Sequence, residues 1–207
     1  MKKLVWVVAM ALLLMTPPGD ASVEVTSSGK AADLRASLNV LFSEHTLLVA
    51  NTTAAALAGR DDELAAAAWA LDANSLDLSR AIGSVYGKAA GDRFLVGWRK
   101  HIRFFLDYAK GVATKDRSKR GQAVADLSAY ARELGAFLHA ATPSLPQDAV
   151  AGLVRGHVAA LTRAIDAQGA GAAMDAYKAM RAAGMHAHTI ADPLAEAIVQ
   201  QFPEKFR

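Results

Sequence analysis

The chain of 207 residues contains no cysteine. That absence excludes disulfide stapling, a thiolate nucleophile and any thiolate metal ligand. Aromatic residues are scarce at 7%, and none interleaves with the arginines of the densest basic cluster, residues 115–120, as a nucleic-acid surface would require. Charge of one sign is also lacking: 23 basic residues face 20 acidic ones. The densest basic cluster, Lys115-Asp116-Arg117-Ser118-Lys119-Arg120, falls where the pattern places a helix–helix turn. It reads as a solvated turn, so no nucleic-acid partner is expected. No stretch alternates as a strand does. Catalytic signatures are missing too: no glycine-rich phosphate loop, no His-Glu-x-x-His, no Gly-x-Ser-x-Gly and no paired Glu-x-x-His. No residue set asks for an enzyme.

What is present begins with a leader. Lys2 and Lys3 precede an apolar run from Leu4 to Met15, followed by Thr16-Pro17-Pro18-Gly19-Asp20-Ala21. A charged start, an apolar stretch and a small-x-small site read as a secretory signal over residues 1–21. The run is too short to cross a bilayer core of about 30 Å as a helix. The expectation is an extracytoplasmic protein, periplasmic or secreted, with no membrane span once the leader is removed. Residues 22–32 read as a flexible lead and 33–207 as one helical domain.

Apolar residues then recur at helical spacing almost throughout. Asp33 can cap a first helix that Gly59 ends, and Asp61 or Asp62 can cap a second that ends near Gly87. Thr142-Pro143-Ser144-Leu145-Pro146 breaks the chain, Gly169 and Gly171 mark another turn, and a last helix begins near Ala172. Asp192-Pro193 should kink or restart that helix, and Pro203 should end it. The fold expected is all-α: six helices as three antiparallel αα-hairpins, about 33–90, 91–145 and 146–203, packed into one bundle.

The three hairpins align at an offset of 56 residues, which places His45, His101 and His157 in one column. The apolar columns Leu78/Leu134/Ile190 and Ile82/Leu138/Leu194 hold as well. This suggests a threefold internal repeat. His45 precedes its turn by about as many residues as Asn74 follows it, so at about 1.5 Å per residue the two share one height. The offset carries that pairing to His101 with Tyr130 and to His157 with His186. Six core-facing polar groups are thus predicted at a single level.

Buried imidazoles without partners cost about 1–3 kcal/mol each, so such a layer must satisfy itself, hold water or bind something. Three or four neutral imidazoles suit a transition-metal ion (zinc, copper or iron) and not calcium or magnesium. The candidate ligands are His45, His101, His157 and His186, with Glu44, Asn74 and Tyr130 orienting the rings from behind. The competing reading is a structural or protein-interaction module whose polar layer satisfies itself; no protein partner is specified. A tetrapyrrole among Trp69, Trp98, Phe104, Phe105 and Tyr108 is a further alternative, although aromatics at helical spacing more simply form core. Met180, Met185, His186 and His188 cannot all aim at one ion from one helix turn. His139 and His188 fall off the apolar stripes and read as surface residues.

The phrases Leu71-Asp72-Ala73-Asn74-Ser75, Ser84-Val85-Tyr86-Gly87, Trp98-Arg99-Lys100-His101-Ile102-Arg103-Phe104-Phe105 and Gln201-Phe202-Pro203 resemble a family of secreted bacterial helical proteins. Its members in spore-forming bacteria are often labelled copper amine oxidase-like, a label that derives from a neighbouring domain in longer members. The resemblance runs from about Leu34 to Phe206. It implies a helical fold and export, and it implies no copper amine oxidase chemistry.

Overall fold

A computed structural model describes residues 29–207. The leader and most of the lead after it lie outside the described residues. Six helices follow: α1 (Lys30–Leu57), α2 (Asp61–Tyr86), α3 (Lys88–Ala113), α4 (Arg117–Ala141), α5 (Gln147–Gly169) and α6 (Ala173–Gln201). A 3-10 turn, Pro203–Lys205, closes the chain. The described residues contain no strand.

Several boundaries differ from the sequence expectation, each for a physical reason. α1 starts at Lys30, behind Gly29, so Asp33 sits in its first turn and does not cap it. Asp61 and Asp62 likewise lie inside the first turn of α2, where their charge faces the positive end of the helix dipole. Gly87 alone joins α2 to α3, its φ of 90° being open to glycine without strain. α6 runs through Pro193 without a break. Pro193 itself is exposed, while Ile190, Ala191 and Leu194 around it are buried, and their packing holds the helix together across the missing N–H.

Each helix packs on its neighbours in the chain, and α6 returns against α1, which closes the bundle. Inside this ring α1, α3 and α5 also meet one another. The first helix of every hairpin therefore faces the centre, and α2, α4 and α6 fill the gaps between them.

The three hairpin turns share one geometry. Gly59, Lys115 and Gly171 have φ of 65°, 55° and 68°. Around each, the same hydrogen bonds recur: Arg60 N to Ala55 O, Asp116 N to Gly111 O and Ala172 N to Ala167 O, at 3.0, 2.8 and 2.9 Å. This is the left-handed helix end with its 6→1 bond. The middle turn is the basic cluster. There Asp116 caps α4 by accepting from Lys119 N, and a lysine occupies the left-handed position that glycine holds in the other two.

The core is two apolar clusters. One gathers Leu38, Phe42, Leu78, Ile82, Phe94, Trp98, Leu134, Leu138 and Leu194. The other, nearer the turns, gathers Val49, Leu71, Phe105, Leu127, Leu161 and Ile165. His45, His101 and His157 fall between the two along α1, α3 and α5.

Candidate metal centre

The inner position of α1, α3 and α5 brings their histidines together. His45, His101 and His157 are 1%, 3% and 8% exposed. The Nε2 atoms of His45 and His101 stand 3.3 Å apart. The ring centroids of these two lie 5.1 Å apart, and that of His157 is 5.8 Å from that of His45. Trp98, one turn before His101, wedges against both, its ring 4.7 Å from His45 and 4.4 Å from His101. Tyr130 stacks flat on His101 at 4.6 Å.

Satisfaction of polar groups fails at this level. Among the described residues, the buried side-chain atoms without a hydrogen-bond partner are Nδ1 of His45, His101 and His157, Oδ1 of Asn74, Nε1 of Trp98 and OH of Tyr130. All six belong to the one layer. The His45–His101 contact can be a hydrogen bond in which either ring donates. It then leaves one ring with a bare acceptor at Nδ1 and the other with an N–H that reaches nothing.

Burial also governs the charge state. Desolvation holds His45 well below the ordinary histidine range, with the His101 and His157 rings adding to the effect. It pushes His101 down to about 3, reinforced by His157; the Trp98 carbonyl opposes this in part without bonding Nδ1. His157 is pushed down to about 4 by burial and then by His186. At neutral pH all three rings are neutral, the form in which imidazole binds metals. Burial likewise raises Tyr130 and keeps its proton on.

The other predicted members stand further out. Asn74 is buried and donates to the Leu41 carbonyl at 3.0 Å and to Glu44 Oε2 at 2.8 Å. Glu44 is exposed, so it touches the layer only through that amide. His186 is half-buried, and its Nε2 meets the Leu153 carbonyl at 2.8 Å. It lies over Gly156, where any Cβ would stand 2.7 Å from Nε2. Its Nδ1 faces Thr189 Oγ1 at 3.3 Å. Two predicted imidazoles, His45 and His101, therefore meet, the ring of His157 lies near that of His45 without a polar contact, and the fourth is committed to the backbone.

Beside His101 and His157 lies a cavity of about 20 Å³, lined also by Phe42, Trp98, Tyr130, Leu134, Val154 and Ile190. It holds about one water-sized molecule. A tetrapyrrole has no room there, and Trp69, one of its predicted walls, is 75% exposed. Among the described residues, no group of three or more His, Asp or Glu side chains is placed so that it could hold a metal ion. The third ring, His157, is the one standing wide. Met180 borders an open cleft of about 590 Å³ at the turn end, with Asn51, Lys115 and Tyr177. His139 and His188 are exposed, as expected; the first bonds the Leu145 carbonyl and the second Asn39.

The sequence offered Trp98 only as core or as a tetrapyrrole wall, and not as the ring packed against both His45 and His101. Its place three residues before His101, on the same helical face, was the available signal. No protein-family model, curated protein or solved structure matches the chain.

Proposed function

We propose that this is an exported helical protein that binds one transition-metal ion through His45, His101 and His157. The observation that carries the reading is the buried Nε2–Nε2 separation of 3.3 Å. Two imidazole nitrogens each about 2.05 Å from a tetrahedral ion stand about 3.3 Å apart. As a hydrogen bond the contact is long, since N–H···O bonds span about 2.7–3.2 Å. The neutral state of all three rings supports the reading, as does the room beside His157 for its ring to close in. His186 stays on the Leu153 carbonyl and leaves a coordination position open. Export rests on the leader, Lys2 to Ala21, and on the likeness to secreted helical proteins. The recurrence of turns and histidines every 56 residues supports descent from one duplicated helical pair.

The competing reading, a purely structural polar layer, draws on the same His45–His101 contact taken as a hydrogen bond. Metal analysis of protein purified without a histidine tag, beside a variant carrying His45→Gln, His101→Gln and His157→Gln, separates the two. One equivalent of metal in the first and none in the second is expected. Equal metal content in both eliminates metal binding at this layer.

A further inference from the structure

We infer that the ion this site selects is monovalent, copper(I), in preference to divalent zinc, copper or iron, because its ligands are buried imidazoles with no buried carboxylate among or behind them. The inference rests on the metal-binding reading above and concerns which ion that site takes.

The donor set comes first. His45, His101 and His157 supply three uncharged nitrogens, and no carboxylate reaches the layer. The nearest along the chain, Glu44, is exposed and already accepts from Asn74. Asp166 is engaged elsewhere, by Tyr108 and Arg120. Tyr130, stacked flat on His101, is a phenol and not a carboxylate, and Glu133, whose charge acts on it, is exposed and pairs with Lys100.

Behind the ligands the picture is the same. Histidines that hold zinc usually pass their second ring N–H to a carboxylate or a backbone carbonyl, which raises ligand basicity and spreads the ion's charge. Here the Nδ1 atoms of all three rings reach neither. A charge placed between these rings stays uncompensated in a low-dielectric interior. The desolvation cost of an ion rises with the square of its charge, so a divalent ion loses roughly four times what a monovalent one does.

Two further observations narrow the choice. Monovalent alkali ions want oxygen ligands, whereas imidazole suits copper. The neighbouring cavity of about 20 Å³ is walled mostly by Phe42, Leu134, Val154, Val158, Ala187 and Ile190. It admits one small molecule at most, so a divalent ion cannot retain the several waters that would spread its charge.

The test is chelator competition on the tag-free protein. Copper(I) is supplied anaerobically with excess reductant; zinc(II) and copper(II) are titrated separately in the same buffer without the reductant. The expected result is one equivalent of copper(I), held at least 100-fold more tightly than zinc(II) and more tightly than copper(II). At an ordinary nitrogen site copper(II) outranks zinc(II), so copper(II) binding as tightly as copper(I) overturns the inference. Zinc(II) binding as tightly does the same, and either result leaves a metal site in place. If none of the three ions binds, the inference and the metal-binding reading fall together.

Discussion

Two polar clusters sit in this bundle, and they are built to different standards. At the turn end, Tyr108 donates to Asp166, 3.0 Å from each of its carboxylate oxygens. Arg120 reaches Asp166 Oδ1 at 2.8 Å and Tyr108 OH at 3.1 Å, and its guanidinium lies over the Tyr108 ring. Every group there has its partner within the chain. In the histidine layer six buried atoms have none. The first cluster is explained by the fold it helps to hold. The second costs the fold stability, and a cost retained at the centre of a core asks for a ligand.

Acid should separate the two clusters most strongly. In the metal-free protein His101 and His157 take protons only at about 3 and about 4, and His45 also well below its ordinary value, whereas the unfolded chain takes them near 6.5. The unfolded state therefore binds more protons between those limits, and stability rises with pH across them. The groups facing these rings are one another, Tyr130, Asn74 and His186, with the exposed Glu44 and Glu133 at the rim. Denaturant unfolding should show full stability above about pH 7 and a loss of a few kcal/mol by about pH 4. Stability that holds level from pH 7 to 4 would mean the rings are not buried as described.

Asp166→Ala comes next. It leaves Arg120 and Tyr108 without their acceptor, and because the pair is partly exposed the cost is about 1–2 kcal/mol. Metal stoichiometry should not change, since the two clusters are independent. Lys115→Gly relieves a left-handed backbone at φ 55° and should stabilise by about 1 kcal/mol, bringing the middle turn into line with Gly59 and Gly171. A loss of melting temperature would show that the Lys115 side chain matters more than its backbone.

The smallest expected effect is the most telling. Replacing His45 and His101 together by leucine removes both members of the only contact in the trio that can be a hydrogen bond. In the metal-free protein this should be neutral or slightly stabilising, because an unsatisfied pair gives way to apolar packing. A loss of 2 kcal/mol or more, roughly the cost of an orphaned polar group, would mark the layer as structural.

Helical periodicity and hairpin length made much of this site legible. Counting residues to and from the first turn placed His45 and Asn74 at one height, and both are buried in the layer, as are His101, Tyr130 and His157. Periodicity could not say where a side chain turns once it arrives. His186 reaches its level and then finds the Leu153 carbonyl across Gly156, because the missing Cβ opens a path to the backbone. Val124 and Trp69 lie at helical spacing yet stay exposed at 41% and 75%, since they fall on outward faces of α4 and α2. Helix starts shifted because the caps at Gly29 and Arg60 are backbone geometry with no side-chain bond to announce them.

The most direct measurement is a crystal of the tag-free protein loaded with the ion, with anomalous scattering recorded at its absorption edge. One peak should lie about 2.0–2.1 Å from Nε2 of both His45 and His101, with the His157 ring moved in toward it. A peak only at exposed histidines such as His139 or His188, with no density between the Nε2 atoms of His45 and His101, would contradict the account.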